Sequence, residues 1–146
     1  MEHLKKINMR KYLSRIVIPR GLVDLSTGEL GEKLFEYWFT MMYQQEKLFK
    51  QKADRDYEKI DFADEKGFTY QVKATRQKTF TFNCKLDNLS NHCNADFYVF
   101  IQIKENVAYI EHIHTKDYVL TNAKPSFKEE YQCFIYATDL LQQTLF

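Results

Sequence analysis

The sequence predicts an α/β domain whose mixed central sheet is flanked by helices, and three observations carry that expectation. The stretch over roughly 27–49 has the period and the cap of an amphipathic helix. Between 57 and 75 the period switches to two, in two short runs separated by a turn. The run DFYVFIQI at 96–103 is almost continuously apolar, as a central strand covered on both faces should be.

Taken in order, residues 3–18 are expected to form a short helix with Met9, Tyr12, Leu13 and Ile16 on one side, punctuated by Pro19 and Gly21. Ser26-Thr27-Gly28-Glu29 is a capping box that opens the main helix. Leu30, Leu34, Trp38 and Met41 recur at helical spacing, widened by Phe35 and Met42. Gly31 lies on that apolar face, where a missing side chain lets a helix approach a sheet closely. Residues 57–63 read as a strand, with Asp61 facing away from Ile60 and Phe62. A turn at 64–67 leads into 68–75, where Phe68, Tyr70, Val72 and Ala74 share one face and Thr69, Gln71, Lys73 and Thr75 the other. Gly67 takes the tight position of that hairpin. Residues 79–83 extend or follow it, 84–95 read as a polar irregular stretch, and Glu105-Asn106 turns strand 96–103 into strand 107–113. A short helix over 115–121 capped by Thr115, a strand at 132–136 and a C-terminal helix containing Leu140, Leu141 and Leu145 complete the order.

The 146 residues fit one domain, 1–146, in which 1–20 form a basic N-terminal helix or arm. Charge is unevenly distributed: residues 1–20 carry net +5, although the whole chain carries only +1. Lys73, Arg76, Lys78 and Lys85 form a second basic cluster with no acid between its ends. Such patches neutralise phosphates even on a nearly neutral chain. No apolar run reaches the roughly 18 residues that a membrane helix needs, and the basic N-terminus lacks the apolar core of a secretory signal. The three cysteines, Cys84, Cys93 and Cys133, show no C-x-x-C spacing, which suits free thiols in a reducing cytoplasm. No G-x-S-x-G, P-loop or G-x-G-x-x-G is present. His112 and His114 form an H-x-H pair without a third ligand at a telling spacing, and His92 and Cys93 do no better.

The chemistry points elsewhere. Gln71 and Lys73 stand at i and i+2, so their side chains leave one face of a strand, and Asp61 lies ten residues before Gln71 on the preceding strand. Phosphodiester hydrolysis needs such a group: oxygen ligands for Mg²⁺, and a lysine to orient water or stabilise the transition state. At 100° per residue Glu32 falls just beyond the apolar arc of the main helix, so its carboxylate can reach the end of a sheet packed beneath; Glu36 is the reserve.

The segments GELGEKLFEYW, KIDFAD and YQVKAT, in this order, resemble the PD-(D/E)xK nuclease superfamily, in a Gln-x-Lys variant. The resemblance implies a restriction-endonuclease-like αβββαβ core with a mixed sheet. It implies Glu32 as the helix glutamate, Asp61 as the metal-binding aspartate, Gln71 at the D/E position and Lys73 as the lysine, with the Val72 carbonyl a further metal ligand. Lys59 stands where many members carry glycine, which leaves Asp56 and Asp64 as alternatives to Asp61. The activity implied is Mg²⁺- or Mn²⁺-dependent endonucleolytic cleavage of DNA. Lys73, Thr75, Arg76 and Lys78 would contact phosphates, and the protein would act in the cytoplasm as a homodimer or higher homo-oligomer. The rival expectation is a non-catalytic nucleic-acid-binding or protein-interaction module of the same fold, favoured by the neutral Gln71.

Overall fold

In this computed structural model the described residues are 12–51, 60–77, 79–85, 95–122, 124–125 and 131–137. In chain order they form β1 (Ser14–Val17), a 3₁₀ turn (Arg20–Leu22), α1 (Thr27–Met42), β2 (Leu48–Lys50), β3 (Phe62–Asp64), β4 (Thr69–Thr75), β5 (Thr79–Lys85), β6 (Phe97–Lys104), β7 (Val107–Thr115), α2 (Lys116–Asn122), β8 (Lys124–Pro125) and β9 (Tyr131–Ala137). The result is a mixed α/β architecture. Six strands make one sheet in the order β1-β7-β6-β4-β3-β2, and β5-β9-β8 make a second. Only β4 and β6 run parallel within the larger sheet; its other neighbours are antiparallel.

The apolar alternation of β4 decides which face each helix covers. Phe35 of α1 packs its ring against Phe62 and Tyr70, so Tyr70, Val72 and Ala74 face α1 while Gln71 and Lys73 leave the other face. The core between α1 and the sheet includes Leu30, Leu34, Phe35, Phe39, Val99 and Ile101. Each such side chain contributes about 1.5–3 kcal/mol on full burial. β6 is buried from Tyr98 through Ile103, which explains why its sequence runs apolar on both faces. On the second face α2 rests Tyr118 on the ring of His114, 4.1 Å between centroids.

Several sequence expectations need correction. Residues 14–17 are a strand, not the end of a helix: Ile16 and Ile18 are buried on alternate positions, and the β-branched run Ile16-Val17-Ile18 suits an edge strand on β7. Residues 1–11 of that expected helix lie outside the described residues. The main helix starts as expected, with the Ser26 hydroxyl accepting from the Glu29 amide, but ends at Met42. A turn follows, and 48–50 pair with β3 instead. Residues 79–85 belong to the second sheet and do not extend the hairpin. Residues 57–59 of the expected strand and the expected C-terminal helix lie outside the described residues. The hairpin itself is as expected: Gly67 has φ +89°, its amide donates to the Asp64 carbonyl, and the Asp64 amide donates to the Phe68 carbonyl.

Gly31 is the point of closest approach. A Cβ built there would stand 2.5 Å from the Cβ of Ala74, whereas one at Gly28 would meet nothing within 4 Å. Replacing Gly31 by alanine gains about 1 kcal/mol of helix propensity but meets an overpacking penalty of ~1–3 kcal/mol. Urea unfolding is expected to show Gly31→Ala less stable than the wild type, Gly28→Ala equal or more stable, and Ala74→Gly partly rescuing Gly31→Ala. Equal stability of the two alanine variants would show that Gly31 makes no close contact with Ala74.

Candidate active site

β4 outruns its partner on one side. β3 pairs Phe62 with Tyr70 and Ala63 with Thr69, and the Asp61 amide still donates to the Tyr70 carbonyl at 2.9 Å. The next β4 amide on that edge, Val72 N–H, donates to a side chain: the Asp61 carboxylate, Oδ2, at 2.7 Å. A hydrogen bond to a charged acceptor contributes about 1.5–3 kcal/mol. The amide and carbonyl of one strand residue leave the same edge, so the Val72 carbonyl lies on the Asp61 side as well.

Glu32 reaches this edge from α1. Its side chain is half-buried, and its carboxyl pKa is raised above the usual 4.5, first by burial and then by the Asp61 charge; Lys50 acts against both. Lys50 ends β2 opposite Phe62, and the next amide, Gln51 N–H, donates to the Asp61 carbonyl at 2.8 Å. A helix, an edge strand and the start of β3 thus bring Glu32, Lys50 and Asp61 to one place. The sequence does not single out Lys50: helical periodicity extends to residue 49, and a lysine after Leu48-Phe49 gives no sign of what it faces.

Continuing the β3–β4 register by one residue sets Asp61 opposite Gln71. Gln71 is 3% exposed, and Lys73 is half-buried two residues further on the same face. Their neighbours across the parallel pair are Tyr98 and Phe100. The Gln-x-Lys pair and Glu32 therefore approach β4 from opposite faces, with Asp61 at the edge between them. Among the described residues no group of three or more His, Cys, Asp or Glu side chains could hold a metal ion. The oxygen donors at the edge are instead two carboxylates and the Val72 carbonyl, with the Gln71 amide on the face behind.

The remaining candidates are placed as follows. Asp64 is committed to the hairpin: its carboxylate accepts from Lys66 N–H, Phe68 N–H and the Tyr70 hydroxyl at 2.9, 3.0 and 2.9 Å. Of the two alternatives to Asp61, then, Asp64 serves the turn, and Asp56 lies outside the described residues, as do Lys78, His92 and Cys93. The Thr75 hydroxyl accepts from Gln77 N–H, and Arg76 donates to the Thr27 hydroxyl at the start of α1. His112 and His114 stack on each other with centroids 5.0 Å apart, and Tyr118 extends the stack. Among the described residues no helix is long and apolar enough to cross a membrane. In sequence, neither a protein-family model nor a curated protein matches the chain.

A glutamate with a raised pKa makes folding less favourable at neutral pH. Below pH 4.5 the folded and unfolded chains both hold the proton. As pH rises past 4.5 the unfolded carboxyl ionises first, and stability falls until the folded carboxyl has ionised too. In the presence of a chelator Glu32→Gln is therefore expected to raise Tm at pH 7, with the advantage shrinking below pH 4.5. A Glu32→Gln variant that melts with the wild type at pH 7 would show that the raised carboxyl costs the fold nothing.

Proposed function

We propose that the chain is a Mg²⁺-dependent endonuclease that hydrolyses DNA phosphodiester bonds at the exposed edge of β4. The observation that carries this reading is the Asp61 carboxylate fixed on the Val72 amide, with the half-buried Glu32 carboxyl near enough to feel its charge. Two like charges held together by a fold are relieved by a divalent cation. Mg²⁺ takes oxygen ligands, uses one or two carboxylates and keeps waters, which fits Asp61, Glu32 and the Val72 carbonyl at the edge as its holders, with the Gln71 amide on the face behind them. When bound, the ion supplies positive charge at the scissile phosphate and makes water there more acidic.

The protein's own groups do the rest. The Val72 amide orients Asp61. Lys50 offers its ammonium to a phosphate oxygen beside the two carboxylates. Lys73 stands behind the edge, where its charge stabilises the phosphorane-like transition state. Arg76, at the start of α1, holds the neighbouring phosphate. The order α1-β2-β3-β4, with β6 parallel to β4, matches the αβββ part of that core; where the αβββαβ core carries its second helix, the described element between β4 and β6 is instead the strand β5 of the second sheet. Cleavage of both strands of a duplex by a domain of this size takes two copies.

A second reading rests on the burial of Gln71, which suits a nucleic-acid-binding or interaction module without chemistry. The test is metal-dependent cleavage of supercoiled plasmid, linear duplex, four-way junction and single strand. Asp61→Asn, which keeps an oxygen for the Val72 amide, and Lys73→Met are expected to lower cleavage at least ~100-fold with folding intact. Lys50→Ala is expected to weaken DNA binding and to reduce its salt slope by about 1. Salt-dependent binding without cleavage would establish the second reading; no binding to any of the four would leave an interaction module with no nucleic-acid role.

A further inference from the structure

Among the described residues β1 forms one margin of the six-stranded sheet, with β7 as its only strand neighbour, and β2 forms the other. A groove of about 320 Å³ runs along it, walled on one side by Ser14–Val17 and on the other by Trp38, Met41 and Met42 of α1. Trp38 is only 7% exposed, yet its indole N–H has no hydrogen-bond partner among the described residues. A buried donor of this kind needs an acceptor, and none of the described residues supplies it. Around the mouth Val17, Met41 and Met42 are each more than half exposed. Large apolar side chains gathered at a groove mark an interaction site, and methionine walls adapt to more than one apolar shape.

Charge narrows the occupant. Among the described residues Arg15 is the only charged one lining the groove. Between residues 12 and 22 it and Arg20 are the only charged residues. A second copy pairing β1 with β1 would bring these arginines of both chains together, which argues against self-association here. An acidic partner is complementary. The shape is that of a margin strand with a helix beside it, where an extended chain can add itself to the sheet through backbone hydrogen bonds while a pocket takes one of its side chains.

We infer that the groove between β1 and the C-terminal half of α1 binds an extended peptide segment bearing apolar and acidic residues, which joins the sheet as a strand alongside β1. One peptide carbonyl accepts from the Trp38 indole. An apolar side chain enters between Met41 and Met42, and an acidic residue faces Arg15. The site lies at the sheet margin opposite β2 and is independent of the nuclease reading.

Trp38 is the only tryptophan in the chain, so its emission reports on the groove directly. The experiment selects from a phage-displayed heptapeptide library on the full chain. The enriched peptides are then made synthetically and titrated against Trp38 emission. Enriched sequences are expected to alternate apolar and acidic residues and to shift the emission. Affinity is expected to fall at least tenfold when a central peptide residue is replaced by proline, which removes a backbone donor. Arg15→Glu, at an exposed position, is expected to weaken the same peptide at least tenfold while the far-UV spectrum stays unchanged. Trp38→Phe, followed by calorimetry, is expected to weaken it about fivefold. Failure to enrich any peptide would overturn the proposal, as would peptides that tolerate proline at every position. So would an emission shift produced by oligo-dT, which would make the groove a nucleic-acid surface, or one that depends on protein concentration alone, which would make it an interface between copies.

Discussion

The distance between α1 and β4 sets most of what the site can do. A helix packed on a sheet through ordinary side chains stands about 10 Å away, and a short carboxylate on its flank stops above the strand edge. Gly31 removes a side chain at the crossing, and Ala74 presents only a methyl group beneath it. Glu32 follows Gly31 directly, so the residue that lets the helix approach is the neighbour of the one that uses the approach. Phe35, one turn further on, then fills the wider space with a ring against Phe62 and Tyr70. Close contact at one turn and aromatic packing at the next fix the helix in both height and rotation.

The edge it reaches is held by a side chain standing in for a strand. Where β3 pairing stops, the Val72 amide would lose its partner, and Asp61 supplies one. A neutral acceptor would satisfy the same donor without a second carboxyl nearby. The sequence instead places Glu32 against Asp61, and the two raise each other's electrostatic cost inside a half-buried edge. Asp64, three residues on, shows the contrast. It is buried, and three donors hold its carboxylate: Lys66 N–H, Phe68 N–H and the Tyr70 hydroxyl. One aspartate organises a turn; the other is placed where its charge conflicts with a neighbour, which a purely structural role does not call for.

Legibility in the sequence followed the strength of local signals. The capping box, the β4 alternation, the Gly67 hairpin, the Glu105-Asn106 turn and the Thr115 cap, whose hydroxyl accepts from Tyr118 N–H, rest on neighbours a few residues apart, and each was readable. Residues 14–17 were not, because their apolar spacing fits a helix as well as a strand until β7 is there to pair with them. β2 is three residues long and has no period of its own; only β3 makes it a strand. The second sheet joins β5 to β9 across about fifty residues, a pairing no local pattern encodes. For the candidate site, the face shared by Gln71 and Lys73 and the reach of Glu32 were legible from periodicity alone. The hydrogen bond from Val72 to Asp61, the place of Lys50 and the burial of Gln71 depend on register and on what covers the sheet.

The two margins of the larger sheet receive different treatment, and that difference bears on how its edges are used. Exposed strand edges invite unwanted pairing and are usually shortened or charged. At the β2–β3 side the edge is shortened, and the Asp61 carboxylate occupies the Val72 amide that further pairing would have taken. At β1 the strand is also short, but beside it stand an apolar groove and an indole donor in place of a carboxylate. The two margins thus differ in what stands beside the strand: a carboxylate on a backbone amide at one, an apolar groove with an indole donor at the other. α1 contributes to both: its N-terminal half delivers Glu32 to the first, its C-terminal half Trp38 and Met41 to the second.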